Sequence, residues 1–164
     1  MKVYFASDHA AFELKNALVS QIELLGYEVE DVGPHSFDPE DDYPDFVIPC
    51  AKRVAGEPNS FGIILGGSGQ GEAMAANRVP GIRAAVFYGG VLAKREIQAE
   101  GTSAHDTFDI VRLPRLHQKA NVLSIAARFV SAEEAITAIK TFLETAFSDS
   151  ERHARRIRKF DQGV

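Results

Sequence analysis

Five consecutive residues, Phe61-Gly62-Ile63-Ile64-Leu65, carry no polar side chain, and they run directly into Gly66-Gly67-Ser68-Gly69-Gln70-Gly71. A strand that is apolar at every position has both faces covered, the condition of a parallel sheet packed between two layers of helix. The rest of the chain supplies matching pieces. Lys2–Ala6 and Tyr27–Val32 read as strands, and Ile82–Phe87 and Asn121–Ala126 as further buried ones. Between them, Ala10–Leu25 sets Phe12, Leu14, Leu18, Ile22 and Leu25 at helical spacing before Gly26 stops the pattern. Phe46–Ala55, a segment around Glu72–Asn77, and Ala132–Phe147 are the next helices, the last with Ala135, Ile136, Ile139, Phe142 and Leu143 on one side. This alternation predicts an α/β fold, a three-layer α/β/α sandwich around a mostly parallel five-stranded sheet.

The remaining segments are connections. Gly33–Asp45 carries three prolines and a run of acids and is a loop. Within Gly89–Leu116, the polar stretch Glu96–Asp109 reads as an irregular excursion with one or two short helices. Residues 148–164 form a basic helical tail, part of the same domain as residues 1–147, that lies against this subunit or reaches another. A length of 164 residues, 45% hydrophobic and 25% charged, is that of one ordinary globular domain. No apolar run approaches the roughly 20 residues of a membrane-spanning helix, so no membrane partner is expected. Asp8 comes too early for a secretory signal, and Cys50 is the only cysteine, so a reducing cytoplasmic setting is expected. A net charge of −5 argues against generic nucleic-acid binding, although Arg152, Arg155, Arg156, Arg158 and Lys159 concentrate positive charge in the tail.

In an open parallel sheet, ligands bind beyond the carboxyl ends of the strands. Two clusters fall there. Ser7-Asp8-His9 brings a hydroxyl, a carboxylate and an imidazole to one spot, or serves only as a helix cap. Gly66–Gly71 lets main chain approach a ligand and offers N–H groups to an anion, or is only a tight strand-to-helix turn. The loop matches neither the G-x-G-x-x-G dinucleotide fingerprint, which needs glycine at Glu72, nor a P-loop ending in Gly-Lys-Ser/Thr. A carboxylate at position 72 would repel pyrophosphate, but suits removal of a proton from carbon while loop amides hold the developing enolate oxygen. A base beside an oxyanion hole is what isomerisation needs.

Several separated motifs then agree in order: Ser7-Asp8-His9-Ala10 with Phe12-Glu13-Leu14-Lys15, Gly26-Tyr27-Glu28-Val29, Asp42-Tyr43-Pro44, Gly66–Glu72, Ala75–Ala84 and Asn121-Val122-Leu123. Together they resemble the ribose-5-phosphate isomerase B family, which includes galactose-6-phosphate isomerase. The resemblance implies a Rossmann-like sandwich, a homodimer or homotetramer with active sites shared between subunits, a sugar phosphate as substrate, and no metal or other cofactor. In one branch of the family the base is a cysteine where Gly66 stands. This chain is similar to the other branch, which makes Glu72 the base. Ser68 and the amides of Gly67, Gly69 and Gly71 would polarise the carbonyl and hold the cis-enediolate, with Asp8 and His9 contacting sugar hydroxyls or phosphate and Gln118 contacting the substrate. The resemblance makes His117 the ring-opening residue and Arg128, Arg152, His153 and Arg156 the phosphate-binding set. Guanidinium forks suit phosphate, and the alternative reading of the tail is a solvated helix face.

The chain departs from the family's pattern at Gln118, where Asn is usual, and at Lys119, where an acid is common. The interval from Arg83 to His117 is also long, and Pro114 is expected to interrupt the helix there. Ribose 5-phosphate is the expected substrate, with galactose 6-phosphate, allose 6-phosphate or a tetrose phosphate as alternatives. A non-catalytic phosphosugar-binding protein is another reading. A hydrolytic or metal-dependent enzyme is a third, but Asp8, His9, His35, His105, His117 and His153 lack metal-ligand spacing.

Overall fold

The computed structural model describes residues 1–95, 97 and 106–162. Five strands, β1 (Lys2–Ser7), β2 (Glu28–Asp31), β3 (Phe61–Gly66), β4 (Ala84–Phe87) and β5 (Val122–Ala126), form one sheet in the order β2-β1-β3-β5-β4. Every pairing is parallel. The helices are α1 (Phe12–Leu24), α2 (Pro44–Gly56), α3 (Gln70–Ala76), α4 (Asp109–Gln118), α5 (Ala132–Glu144) and α6 (Glu151–Asp161).

The apolar runs are explained by two cores, one on each face of the sheet. Val3, Phe5, Ile63, Leu65, Leu123 and Ile125 pack with Leu18, Ile22, Ile139 and Phe142 from α1 and α5. Tyr4, Ala6, Ile64 and Val122, which alternate with them along the strands, pack with Val47, Cys50 and Val54 of α2 and Ala76 of α3. Successive side chains point to opposite faces, so the central strands are apolar on both faces along most of their length, with Ser124 a buried exception in β5.

Three boundaries show how tertiary contacts move the ends of elements away from the sequence expectation. His9–Ala11 is a separate 3-10 turn, because the Asp8 carboxylate accepts from Ala10 N at 3.0 Å and α1 starts only at Phe12. β4 begins at Ala84, since Arg83 N donates to the Asn121 side chain at 2.8 Å instead of to a strand. The Asn77 amide then pairs with both main-chain groups of Ala84, occupying part of the exposed edge of β4. α5 stops at Glu144, short of Phe147.

Pro114 does not interrupt its helix, contrary to expectation. α4 runs through it from Asp109 to Gln118, losing one main-chain bond. Tertiary anchors offset that loss. Val111 is in the core, and the Arg115 guanidinium donates to the carbonyls of Thr145 (3.0 Å) and Ala120 between the rings of Phe61 and Phe142. Burial pushes Arg115 down to about 10. Of the excursion expected over Glu96–Asp109, only Ile97 and residues 106–109 lie among the described residues, and His105 lies outside them. No helix among the described residues is long and apolar enough to cross a membrane. In the tail, α6 buries none of its side chains and packs on α4, where Ser148 Oγ donates to Leu116 O at 2.8 Å.

The strand order positions the site. From β1 the chain moves outward to β2, and from β3 it moves to the other side, so β1 and β3 border the point where the winding reverses. Lys15 fixes the connection above it. Its side chain is fully buried, and its Nζ donates to Asp31 and, at 2.9 Å, to Pro34 O, tying α1 to the end of β2 and the long loop that follows. Replacing it (Lys15→Met) leaves those acceptors unpaired and should lower stability by about 2 kcal/mol. The check is urea unfolding, with a lower midpoint and an unchanged slope expected.

Candidate active site

The loops after β1, β3 and β5 meet in a cleft of about 460 Å³ lined by Asp8, His9, Tyr43, Gly67, Ser68, Gly71, Glu72, Arg128 and Phe129. Three contacts to β5 and the segment following it hold the glycine loop. Ser124 Oγ donates to Gly69 O at 2.7 Å, Ala127 N to Gly66 O at 2.9 Å, and Arg128 N to Gly67 O at 3.2 Å. Gly69 has φ +71, and a Cβ on it would lie 3.2 Å from Ala126 N, so this glycine is needed both for its conformation and for its contact with β5. Gly69 is therefore buried beneath the loop and does not line the cleft.

Glu72, in the first turn of α3, folds its side chain back across the loop and is only 4% exposed. Its Oε1 occupies the space that a side chain at position 66 would need, since a Cβ on Gly66 would fall 1.9 Å from it. Oε2 is buried without a hydrogen-bond partner. Burial raises the Glu72 pKa above the ordinary glutamate value. Its own main chain lowers it and the Asp8 charge raises it further. A helix N-terminus favours the ionised carboxylate, but burial prevails here. No carboxylate–cation pair engages Glu72 among the described residues.

Asp8 is 7% exposed and also has a raised pKa, chiefly from burial, with His9 opposing and Asp41 adding to the effect. It both caps the 3-10 turn and lines the cleft, so the two sequence readings hold together. His9 Nδ1 lies 2.6 Å from Asp41 Oδ1, and this contact raises the imidazole pKa. The Arg128 guanidinium lies over Gly67, where an added Cβ would be 3.3 Å from Cζ. Ser68 is exposed at the rim, its Oγ accepting from Gln70 N at 3.3 Å. Among the described residues, the amides of Gly67 and Ser68 donate to no protein acceptor, leaving them free for an anionic oxygen.

Sequence reasoning missed three cleft or support residues. The Tyr43 ring lies against Gly71, where a Cβ would meet it at 2.8 Å, and Phe129 packs edge-on against Tyr88 at 5.7 Å. Asp41 stands behind His9. The acidic run Glu40-Asp41-Asp42 was the available signal, but no local pattern says which acid turns inward.

The remaining predicted residues are elsewhere in the same protomer. His117 lies at the end of α4, which precedes β5, whereas Glu72 follows the far end of β3; the sheet between them is roughly 16 Å deep at about 3.3 Å per residue. The His117 ring stacks on His153 of α6 at 4.1 Å. Burial lowers the His117 pKa, with His153, Arg156 and Arg152 acting in the same direction. Gln118 lines a different cavity, of about 470 Å³, with Pro114, Phe160 and Asp161. Among the described residues lining that cavity, Asp161 is the only carboxylate, and it is engaged by Arg83 at 3.4 Å. Among the described residues no group of three or more His, Cys, Asp or Glu is arranged to hold a metal ion.

Known proteins share this arrangement of sequence and fold. The chain matches the family described as Ribose/Galactose Isomerase over residues 3–104 and 101–160. It is 38% identical to ribose-5-phosphate isomerase B of Mycolicibacterium paratuberculosis, over 96% of this chain and 87% of the relative. It is also 38% identical to the probable ribose-5-phosphate isomerase B of Mycoplasma pneumoniae, over 96% and 91%. Among solved structures, ribose-5-phosphate isomerase B of Mycoplasma genitalium with bound ribulose-5-phosphate superposes with a TM-score of 0.84 at 33% identity, covering 99% of this chain and 95% of that one. The Thermotoga maritima enzyme gives 0.82 at 39%, covering 98% and 97%. With the match spanning nearly the whole chain and the glycine loop, Asp8 and Glu72 converging on one cleft, the chain belongs to the ribose/galactose isomerase family.

Proposed function

We propose that this protein is a metal-independent isomerase that interconverts ribose 5-phosphate and ribulose 5-phosphate, with Glu72 as the base. The observation that carries the reading is a buried, unpaired carboxylate set beside free loop amides. Glu72 takes the proton from the carbon next to the carbonyl and returns it to the neighbouring carbon, while Ser68 and the amides of the loop hold the cis-enediolate. Ribose is favoured over galactose, allose or a tetrose because the relatives carry the name ribose-5-phosphate isomerase B and one neighbour holds ribulose-5-phosphate. One cysteine, fully buried, fits a reducing cytoplasm.

The site is completed by a second copy. His117, which opens the ring, Gln118, which contacts the sugar, and the phosphate-binding Arg152, His153 and Arg156 come from the partner and face Glu72, Asp8, His9 and Arg128 of the first protomer. The separation of the two clusters by the depth of the sheet supports this assignment.

Glu72→Gln should reduce kcat by about 10²–10⁴-fold while ribose 5-phosphate still binds, measured by turnover and calorimetry; near-normal turnover would remove Glu72 from the chemistry. The pH profile gives a second check. The base works ionised, so activity falls as pH drops through the raised Glu72 pKa, and the Asp8 charge contributes to that rise. Asp8→Asn should therefore move the acid limb of kcat/KM to lower pH. Sharing of the site is tested by mixing inactive Glu72→Gln and His117→Ala subunits. Half of the randomly formed dimers carry one intact site of two, so about a quarter of parental activity should return. A mixture that stays inactive would place each site within one chain.

A further inference from the structure

Asp41 does not line the cleft, yet its side chain is only 6% exposed and is committed to one neighbour. A single oxygen, Oδ1, accepts the His9 main-chain N–H at 3.1 Å and faces the His9 ring Nδ1 at 2.6 Å. Two contacts from one carboxylate fix both the position of His9 and the orientation of its ring. A carboxylate facing Nδ1 keeps a proton there, so Nε2 is the ring nitrogen left for the cleft that His9 lines.

We propose that Asp41 is a positioning residue for His9, locking the ring so that Nε2–H is offered to an anionic oxygen of the substrate, which we assign to its phosphate. The phosphate assignment rests on the isomerase reading, but the locking of the ring does not. Charge supports it. The groups facing His9 are Asp8 beside it in sequence, Asp41 from the loop after β2 and Arg128 from the segment after β5. The two acids favour the imidazolium and Arg128 opposes it, with Asp41 dominant, so the ring stays cationic to a higher pH than an ordinary histidine. An imidazolium beside a guanidinium, both lining one cleft, suits a phosphate better than a neutral hydroxyl. The pairing explains why the acidic run of an otherwise irregular loop turns one carboxylate inward.

The experiment is NMR titration of ¹⁵N-histidine-labelled protein, the His9 signal being identified by its loss in His9→Gln, with and without inorganic phosphate, alongside kinetics on ribose 5-phosphate. Asp41→Asn should make His9 titrate at lower pH and weaken inorganic phosphate binding. It should raise KM about tenfold while kcat changes by less than about threefold. Asp41→Glu, which keeps the charge, should restore part of the titration shift, and Asp41→Asn should add nothing in a His9→Gln background. An unmoved His9 titration, a loss of kcat at constant KM, or a further loss in the His9→Gln background would each overturn the assignment. A His9 titration and phosphate affinity that respond to Asp41 in a protein that does not isomerise ribose 5-phosphate would support the positioning role and reject the isomerase reading.

Discussion

The glycine loop can hold a buried carboxylate only because β5 holds the glycine loop. Ser124, inside the sheet, donates to Gly69 O, and the segment after Ala126 adds two main-chain bonds to Gly66 and Gly67. With the loop pinned, the Glu72 side chain can lie where a residue at 66 would otherwise project. Glycine at 66 is thus a requirement of the carboxylate and not of the turn. Desolvation follows from the same packing, since a carboxylate pressed against bare main chain loses water on one side and gains no cation in exchange. Its raised pKa is the electrostatic trace of that loss.

The cleft is divided by charge. Asp8 and Glu72 are both buried and repel one another, whereas His9 and Arg128 bring positive charge to its other groups. A sugar phosphate matches that division, with an uncharged carbon skeleton over the acids and a dianion beside the cations. Among the described residues, no carboxylate acts on His117 in the second basic cluster, which it forms with His153, Arg152 and Arg156. Burial depresses the His117 pKa, and repulsion from His153, Arg156 and Arg152 adds to it. An incoming phosphate would relieve that repulsion, consistent with a site assembled from two copies. The α6 helix fits the same view, because a helix that buries none of its own side chains has little in one protomer to hold it.

Much of this was legible in the sequence. Continuous apolar runs require a strand covered on both faces, which led to the parallel sheet, and the glycine loop with Glu72 led to the cleft because strand–loop–helix order is local information. The Asp8 cluster was legible for the same reason. Pro114 was misjudged because a local rule counts a lost hydrogen bond without the anchors, Val111 in the core and Arg115 between two aromatic rings, that offset it. Asp41 was missed because its partner is 32 residues away and three adjacent acids look alike in sequence.

The sequence by itself determined the fold class, the glycine loop that lines the cleft and the identity of the candidate base, because periodicity and glycine spacing are properties of short segments. Only the tertiary structure decided the upward shift of the Glu72 pKa, the inward turn of Asp41 and the separation of His117 from Glu72. Those depend on desolvation and on contacts between distant segments, which do not exist until the sheet has formed and its two faces are covered.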